Sequence, residues 1–152
     1  MATYQEHSLD GASPVDLVVA LYDGIIRFLY AAISSVECGD TRARRVAVKR
    51  ALAILIHLQA RLRMDIGGRP AQVLSEFYAS MFALILQASV ASSSEKFEEV
   101  IGCVRTIRDA WRQVAAELAQ EAMPTAAVAP KPRLVRFTPA QTDSDQASRW
   151  TA

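Results

Sequence analysis

The segment ASPVDLVVALYDGIIRFLY, residues 12–30, decides the fold. Asp23-Gly24 lies between two apolar runs, which is the short-range signal of a β-hairpin. A hairpin needs apolar and polar residues to alternate in each arm. Residues 17–22 are apolar throughout, and in residues 25–30 only Arg27 marks a polar side. A helical template fits the same residues. Asp16, Asp23, Arg27 and Ser34 fall on one face, and Val18, Leu21, Ile25, Phe28, Leu29, Ala32 and Val36 on the other. Ser13-Pro14 supplies the start, a serine N-cap followed by a proline whose missing N–H costs nothing in the first turn. Asp16 faces the positive end of the helix dipole, and Gly39 supplies the stop. The spacing predicts one helix over Pro14–Glu37. Gly24 then costs about 1 kcal/mol relative to alanine. That cost implies a close approach to its backbone, either by a neighbouring helix, the simpler reading, or by a partner. Asp23 and Arg27 are spaced for an i,i+4 ion pair.

The rest of the chain repeats the helical period. Asp40 or Thr41 caps a second helix expected to run to about residue 66, with Leu52, Leu55, Leu58, Leu62 and Ile66 as its stripe and Gly67-Gly68 as its end. Pro70 suits the first turn of a third helix reaching residue 91. Its residues Leu74, Phe77, Tyr78, Met81, Ile85 and Ala88 run down one side, while Phe82, Leu84 and Leu86 leave little polar face. This helix is expected to be the most buried. Serines 92–94 cap a fourth helix whose seam runs Phe97, Val100, Ile101, Val104, Ile107, Trp111, Val114, Leu118 and Ala122, and Pro124 stops it. The expected fold is all-α: an antiparallel four-helix bundle over 14–123, with a flexible N-terminal arm (1–13) and a disordered, proline-bearing tail (124–152). Leu134-Val135-Arg136-Phe137 is the tail's only apolar patch.

Composition narrows the function. The net charge of +1 gives no global attraction to nucleic acid or anionic lipid. Two distant cysteines, Cys38 and Cys103, make neither a disulfide framework nor a zinc spacing and suit a reducing compartment. The polar MATYQEHSLDG start lacks the pattern of a secretory signal peptide. The long uncharged run at 77–94 holds Ser80, Gln87 and a serine cluster, and reads as a core helix rather than a membrane span. Nothing points to catalysis, a metal or another cofactor. His7 and His57 stand alone, no Glu-x-x-His pair exists, and Gly67-Gly68 has neither a preceding strand nor the Lys-Ser/Thr of a phosphate loop. Local charge is concentrated in the second helix and its end. Arg42, Arg44, Arg45, Lys49, Arg50, Arg61 and Arg63 stand against Asp40 and Asp65. That face points either to a nucleic acid or acidic partner or to a solvated surface balanced by Glu95, Glu98 and Glu99; no aromatic residues interleave with the arginines. Beyond charge, the chain has more apolar surface than four helices need: Val19, Ile26 and Tyr30 lie off the main stripe of the first helix. The alternatives are a thick core and a groove that receives apolar segments of a partner.

Ser13-Pro14-x-x-Leu17-x-x-x-Leu21-Tyr22-Asp23-Gly24 resembles the signature of the flagellar secretion chaperone family FliS. Tyr4, Leu9 and Ala12-Ser13-Pro14 have the spacing of that family's N-terminal arm. Leu62-x-x-Asp65-x-Gly67-Gly68 followed by Leu74-x-x-Phe77-Tyr78 resembles its second-to-third helix junction, and Glu95-Lys96-Phe97-Glu98-Glu99-Val100 with Ala110-Trp111 its fourth helix. The resemblance spans roughly residues 4–120. Arg69-Pro70 departs from the acidic and aliphatic pair common there, and the tail after residue 123 is longer than usual. The resemblance implies a cytoplasmic bundle, not an enzyme. It implies binding to the disordered C-terminal segment of flagellin, prevention of premature polymerisation, and delivery of flagellin to the flagellar type III export gate. It further implies a client groove formed by Leu21, Tyr22, Ile25, Leu55, Leu62, Leu74, Tyr78 and Met81, and a displaceable lid anchored by Tyr4 and Leu9. Neither nucleic acid binding nor membrane insertion is expected under this reading, and weak self-association is. The alternative is a basic-helix bundle that binds nucleic acid or an acidic partner.

Overall fold

The computed structural model describes residues 13–121. The lid residues Tyr4 and Leu9 and the tail from residue 124 lie outside them. Four α-helices follow one another: α1 (Pro14–Glu37), α2 (Thr41–Ala60), α3 (Gly68–Ala91) and α4 (Ser94–Glu121). They form the expected antiparallel bundle. The chain divides into two units, Met1–Ala115 and Ala116–Ala152. The core and the sites below belong to the first. Of the second, residues 116–121 are described and are helical.

α1 starts and stops where its sequence says. Ser13 Oγ accepts the Asp16 backbone N–H (3.1 Å), and Asp16 Oδ2 accepts from the Ser13 N–H (3.3 Å) and hydroxyl (2.8 Å), a reciprocal capping box. At the other end the N–H groups of Asp40 and Gly39 bond to the carbonyls of Ser35 (2.8 Å) and Val36 (3.1 Å), with Gly39 at φ +75°. This is the Schellman pattern, and glycine adopts its left-handed φ at no steric cost. Asp40 caps α2 by accepting the Ala43 N–H at 2.9 Å.

The cost of Gly24 is explained by α2. A Cβ at Gly24 would stand 3.0 Å from Ile54 Cδ1, so the bare backbone seats the α1–α2 contact. Two substitutions test this. Gly24→Ala is expected to be nearly neutral in urea unfolding, because the helical gain of about 1 kcal/mol offsets a small shift of the Ile54 terminus. Gly24→Leu is expected to cost about 1–3 kcal/mol through overpacking. Equal midpoints for the two variants would show that the close approach does not matter.

The structure departs from expectation at several points. α2 ends at Ala60, not near residue 66. There Arg61 and Leu62 donate to Leu58 and Gln59 (both 3.2 Å), i→i+3 bonds that tighten and close the last turn. Ile66 is 71% exposed and joins no core. Gly67-Gly68 therefore introduces α3 instead of ending α2, with Gly68 at φ +57°. The most buried helix is α1, with eight buried residues against six in α3. Val73, Leu84, Leu86 and Val90 of α3 are exposed. By length and composition α1 and α3 are each apolar enough to cross a membrane, yet in this bundle both turn one face into a shared core. The α4 seam is buried from Phe97 to Val104, half-buried at Ile107 and Trp111, and exposed at Val114 and Leu118. Asp23 pairs not with Arg27 but with Arg108 (3.0 Å) and Arg112 (3.5 Å) of α4. Arg27 stands over the Phe28 ring instead, 5.6 Å from its centroid.

Candidate functional site

Two apolar depressions adjoin on the bundle. The first, of about 580 Å³, opens between α2 and α3. Leu55, Ile56 and Ala60 form one wall and Tyr78, Ala79 and Phe82 the other. Its polar rim is closed by Gln59, whose amide donates to Ser75 Oγ. Ile56 is 57% exposed, a large apolar side chain presented to solvent at the edge. The second depression, of about 330 Å³, lies where all four helices meet. α1 contributes Leu17, Val18 and Leu21; α2 contributes Leu58, and Arg61 and Leu62 follow just past its end; α3 contributes Leu74 and Tyr78; α4 contributes Trp111. Tyr78 borders both.

Beneath them runs a chain of three polar atoms. Trp111 Nε1–H donates to the Tyr22 hydroxyl oxygen at 3.1 Å, and the Tyr22 and Tyr78 hydroxyls share a 2.6 Å hydrogen bond. The rings of the two tyrosines lie 6.3 Å apart and tilted. Burial pushes the Tyr22 phenol above its ordinary pKa, and the hydrogen bonds from Tyr78 and Trp111 pull it partly back. Burial pushes Tyr78 up further, and its bond to Tyr22 holds the proton on. These directions fix a pH dependence. In the unfolded chain both phenols ionise near pH 10. In the folded chain they stay protonated, so above that pH the unfolded state binds fewer protons and stability falls as pH rises. The contribution is complete below about pH 10 and is lost above it. Urea midpoints measured across this range should fall less steeply for Tyr22→Phe/Tyr78→Phe than for the parent. Parallel slopes would mean that the pair does not drive the alkaline loss.

Of the eight residues expected to line a groove, Leu21, Leu62, Leu74 and Tyr78 meet in the second depression. Leu55 joins Tyr78 in the first. Tyr22 is wholly buried below, and Ile25 and Met81 sit in the core and line neither. Sequence reasoning did not pick out Ile56 and Phe82, or Leu17 and Trp111, as lining residues. The available signal was apolar character off or at the edge of the main stripe. No cluster of three His, Cys, Asp or Glu side chains suited to a metal occurs among the described residues.

The segment Leu21-Tyr22-Asp23-Gly24 thus has four partners. Leu21 faces the second depression, Tyr22 reaches α3 and α4, Asp23 binds Arg108 and Arg112 of α4, and Gly24 seats Ile54 of α2. It ties α1 to every other helix. Residues 1–118 match the family described as "Flagellar protein FliS". The chain belongs to the FliS family. Among its relatives, the flagellar secretion chaperone FliS of Salmonella typhimurium is 36% identical over 110 residues, 72% of this chain and 82% of the relative. That of Campylobacter jejuni is 32% identical over 111 residues, 73% and 87% respectively. That of Bacillus subtilis is 28% identical over 110 residues, 72% and 81%. The FliS relatives are named as chaperones, not as enzymes. The family match ends at residue 118, so the chain after it is not accounted for by family membership.

Proposed function

We propose that this FliS-family chain is a cytoplasmic export chaperone whose client is flagellin. It binds the disordered C-terminal segment of flagellin, prevents premature polymerisation and supports delivery to the flagellar type III export gate. The observation that carries this reading is the pair of adjoining apolar depressions that share Tyr78 on a bundle of this family. A disordered segment that orders on binding loses about 2–5 kcal/mol of the gross interaction, so it needs a large apolar area to settle on. Side chains such as Leu21, Leu62 and Leu74 offer that area, with Arg61 the one charged residue lining the four-helix depression. Exposed apolar area is also an aggregation risk before the client arrives. In this proposal the arm at 1–13 covers part of it through Tyr4 and Leu9, the body spans 14–123, and the tail follows from 124.

The test is calorimetric titration with the C-terminal segment of flagellin from the same organism, at several temperatures and salt concentrations. A saturable one-to-one isotherm with a negative heat-capacity change and weak salt dependence supports apolar burial. A folded protein that takes up no segment rules the client out. Deleting residues 1–12 is expected to tighten binding or to promote weak self-association, because a closed lid lowers apparent affinity by the fraction of time it is closed. If titration and size-exclusion chromatography both remain unchanged, the arm is no lid.

A further inference from the structure

At the hairpin end of α1 and α2 lies a third depression, of about 450 Å³. Phe28 and Ala31 of α1 and Ala43, Val46 and Ala47 of α2 give it an apolar floor, and Arg42 and Arg50 stand at its rim. Arg42, Val46 and Arg50 follow one another at i, i+4 and i+8, so they form a single stripe. Arg45 and Lys49 flank it, and Arg27 and Arg50 both lie over the Phe28 ring, at 5.6 and 5.9 Å. All five cations are exposed, and among the described residues none is in an ion pair. The acids at the start of α4, Glu95, Glu98 and Glu99, do not bridge to them. The one carboxylate lining the depression, Asp40, accepts the Ala43 N–H and is outnumbered by Arg42 and Arg50. A chain of net charge +1 therefore concentrates an excess of positive charge around a largely apolar hollow.

We infer that this hollow is a second docking surface, for an acidic protein segment with an apolar anchor residue. The carboxylates meet the arginines, for which paired N–H donors fit carboxylate geometry, and the anchor enters between Phe28 and Val46. A nucleic acid suits the site less well. No aromatic face is free to stack a base, because the guanidinium groups of Arg27 and Arg50 already lie over Phe28. Val46 and Leu58, which borders the four-helix depression, are separated by about 18 Å along α2 at 1.5 Å per residue. The hollow shares no lining residue with either client depression, and the inference does not rest on the flagellin reading.

The probe is a short fluorescein-labelled, glutamate-rich peptide with a central Leu-Phe pair, added to the full chain at physiological salt and followed by anisotropy. Saturable binding is expected. Arg42→Ala/Arg50→Ala and, separately, Val46→Asp should each weaken it by about tenfold or more. These positions are exposed, so thermal unfolding should not move. Replacing Leu-Phe by Ala-Ala, or the glutamates by glutamines, should weaken it similarly. Absence of binding overturns the inference. So does equal binding of the Ala-Ala peptide, which would leave charge alone. Displacement by a single-stranded oligonucleotide at lower concentration than unlabelled peptide would assign the face to nucleic acid instead. Displacement by the flagellin segment would merge it with the client site.

Discussion

Truncation of Tyr22 to alanine is expected to remove about 3–5 kcal/mol of folding free energy, the range found for deleting a large buried aromatic ring. A domain of this size has in all about 5–15 kcal/mol, so the variant should sit near the edge of folding. Tyr22 is wholly buried at the centre of the bundle, and the ring is only part of its role. Its hydroxyl receives Trp111 Nε1–H from α4 and shares a hydrogen bond with Tyr78 of α3. Tyr22→Phe keeps the ring and removes that junction. It should cost about 1–3 kcal/mol, the usual cost of leaving buried polar groups unpartnered. The two losses are unequal. Trp111 is half-buried and regains water, whereas Tyr78 is 3% exposed and does not. Tyr78→Phe introduced into Tyr22→Phe should therefore cost much less than it does in the parent, and the cycle should show clear coupling. Urea unfolding of the four proteins measures this. An additive cycle, or a neutral Tyr22→Phe, would reduce the hydroxyl chain to a geometric accident.

How far the sequence reveals this molecule depends on whether the relevant partner is near in the chain. The ends of α1 are set by Ser13, Pro14, Asp16 and Gly39, all within a turn of the groups they satisfy, and were legible. Gly24 announced a close approach but not that Ile54 makes it. The end of α2 was misread because Ile66 continues the apolar period although nothing packs on it. Periodicity records which face is apolar, not whether a neighbour covers it. The same limit misplaced the most buried helix, since α3 is apolar on nearly all sides and therefore leaves part of its apolar surface outside. For Asp23, Arg27 was the only cation within one turn of sequence; the actual partners, Arg108 and Arg112, lie on α4. For the candidate site, Leu21, Leu62 and Leu74 were reachable because Leu21 is part of the signature and the other two belong to the apolar stripes of their segments. Tyr22, Ile25 and Met81 share those stripes, and the difference between lining a hollow and filling a core is a few tens of degrees around a helix. Ile56 lies off the stripe of α2, a position that invites the question of what it is for.

That question has a direct test. Ile56→Lys is expected to leave folding stability within about 0.5 kcal/mol, the ordinary range for an exposed position. Lysine is a good helix former, and near the end of α2 its charge suits the negative end of the dipole. Binding of the flagellin segment should nevertheless fall by tenfold or more, about 1.4 kcal/mol or above. Ile56 stands at the mouth of the α2–α3 depression, opposite Phe82, where an apolar client side chain would be shut off from water. An ammonium group there must either be desolvated or hold the client away, and both raise the free energy of the complex alone. Val90→Lys is the control. Val90 is more exposed still, at 87%, but lines neither client depression. Its variant should bind as the parent does, with the same heat-capacity change. If Ile56→Lys binds normally, the α2–α3 depression is not the client surface and the four-helix depression must act alone. If both variants lose affinity equally, the client is held by diffuse apolar surface on α2 and α3, and the depressions confer no selectivity.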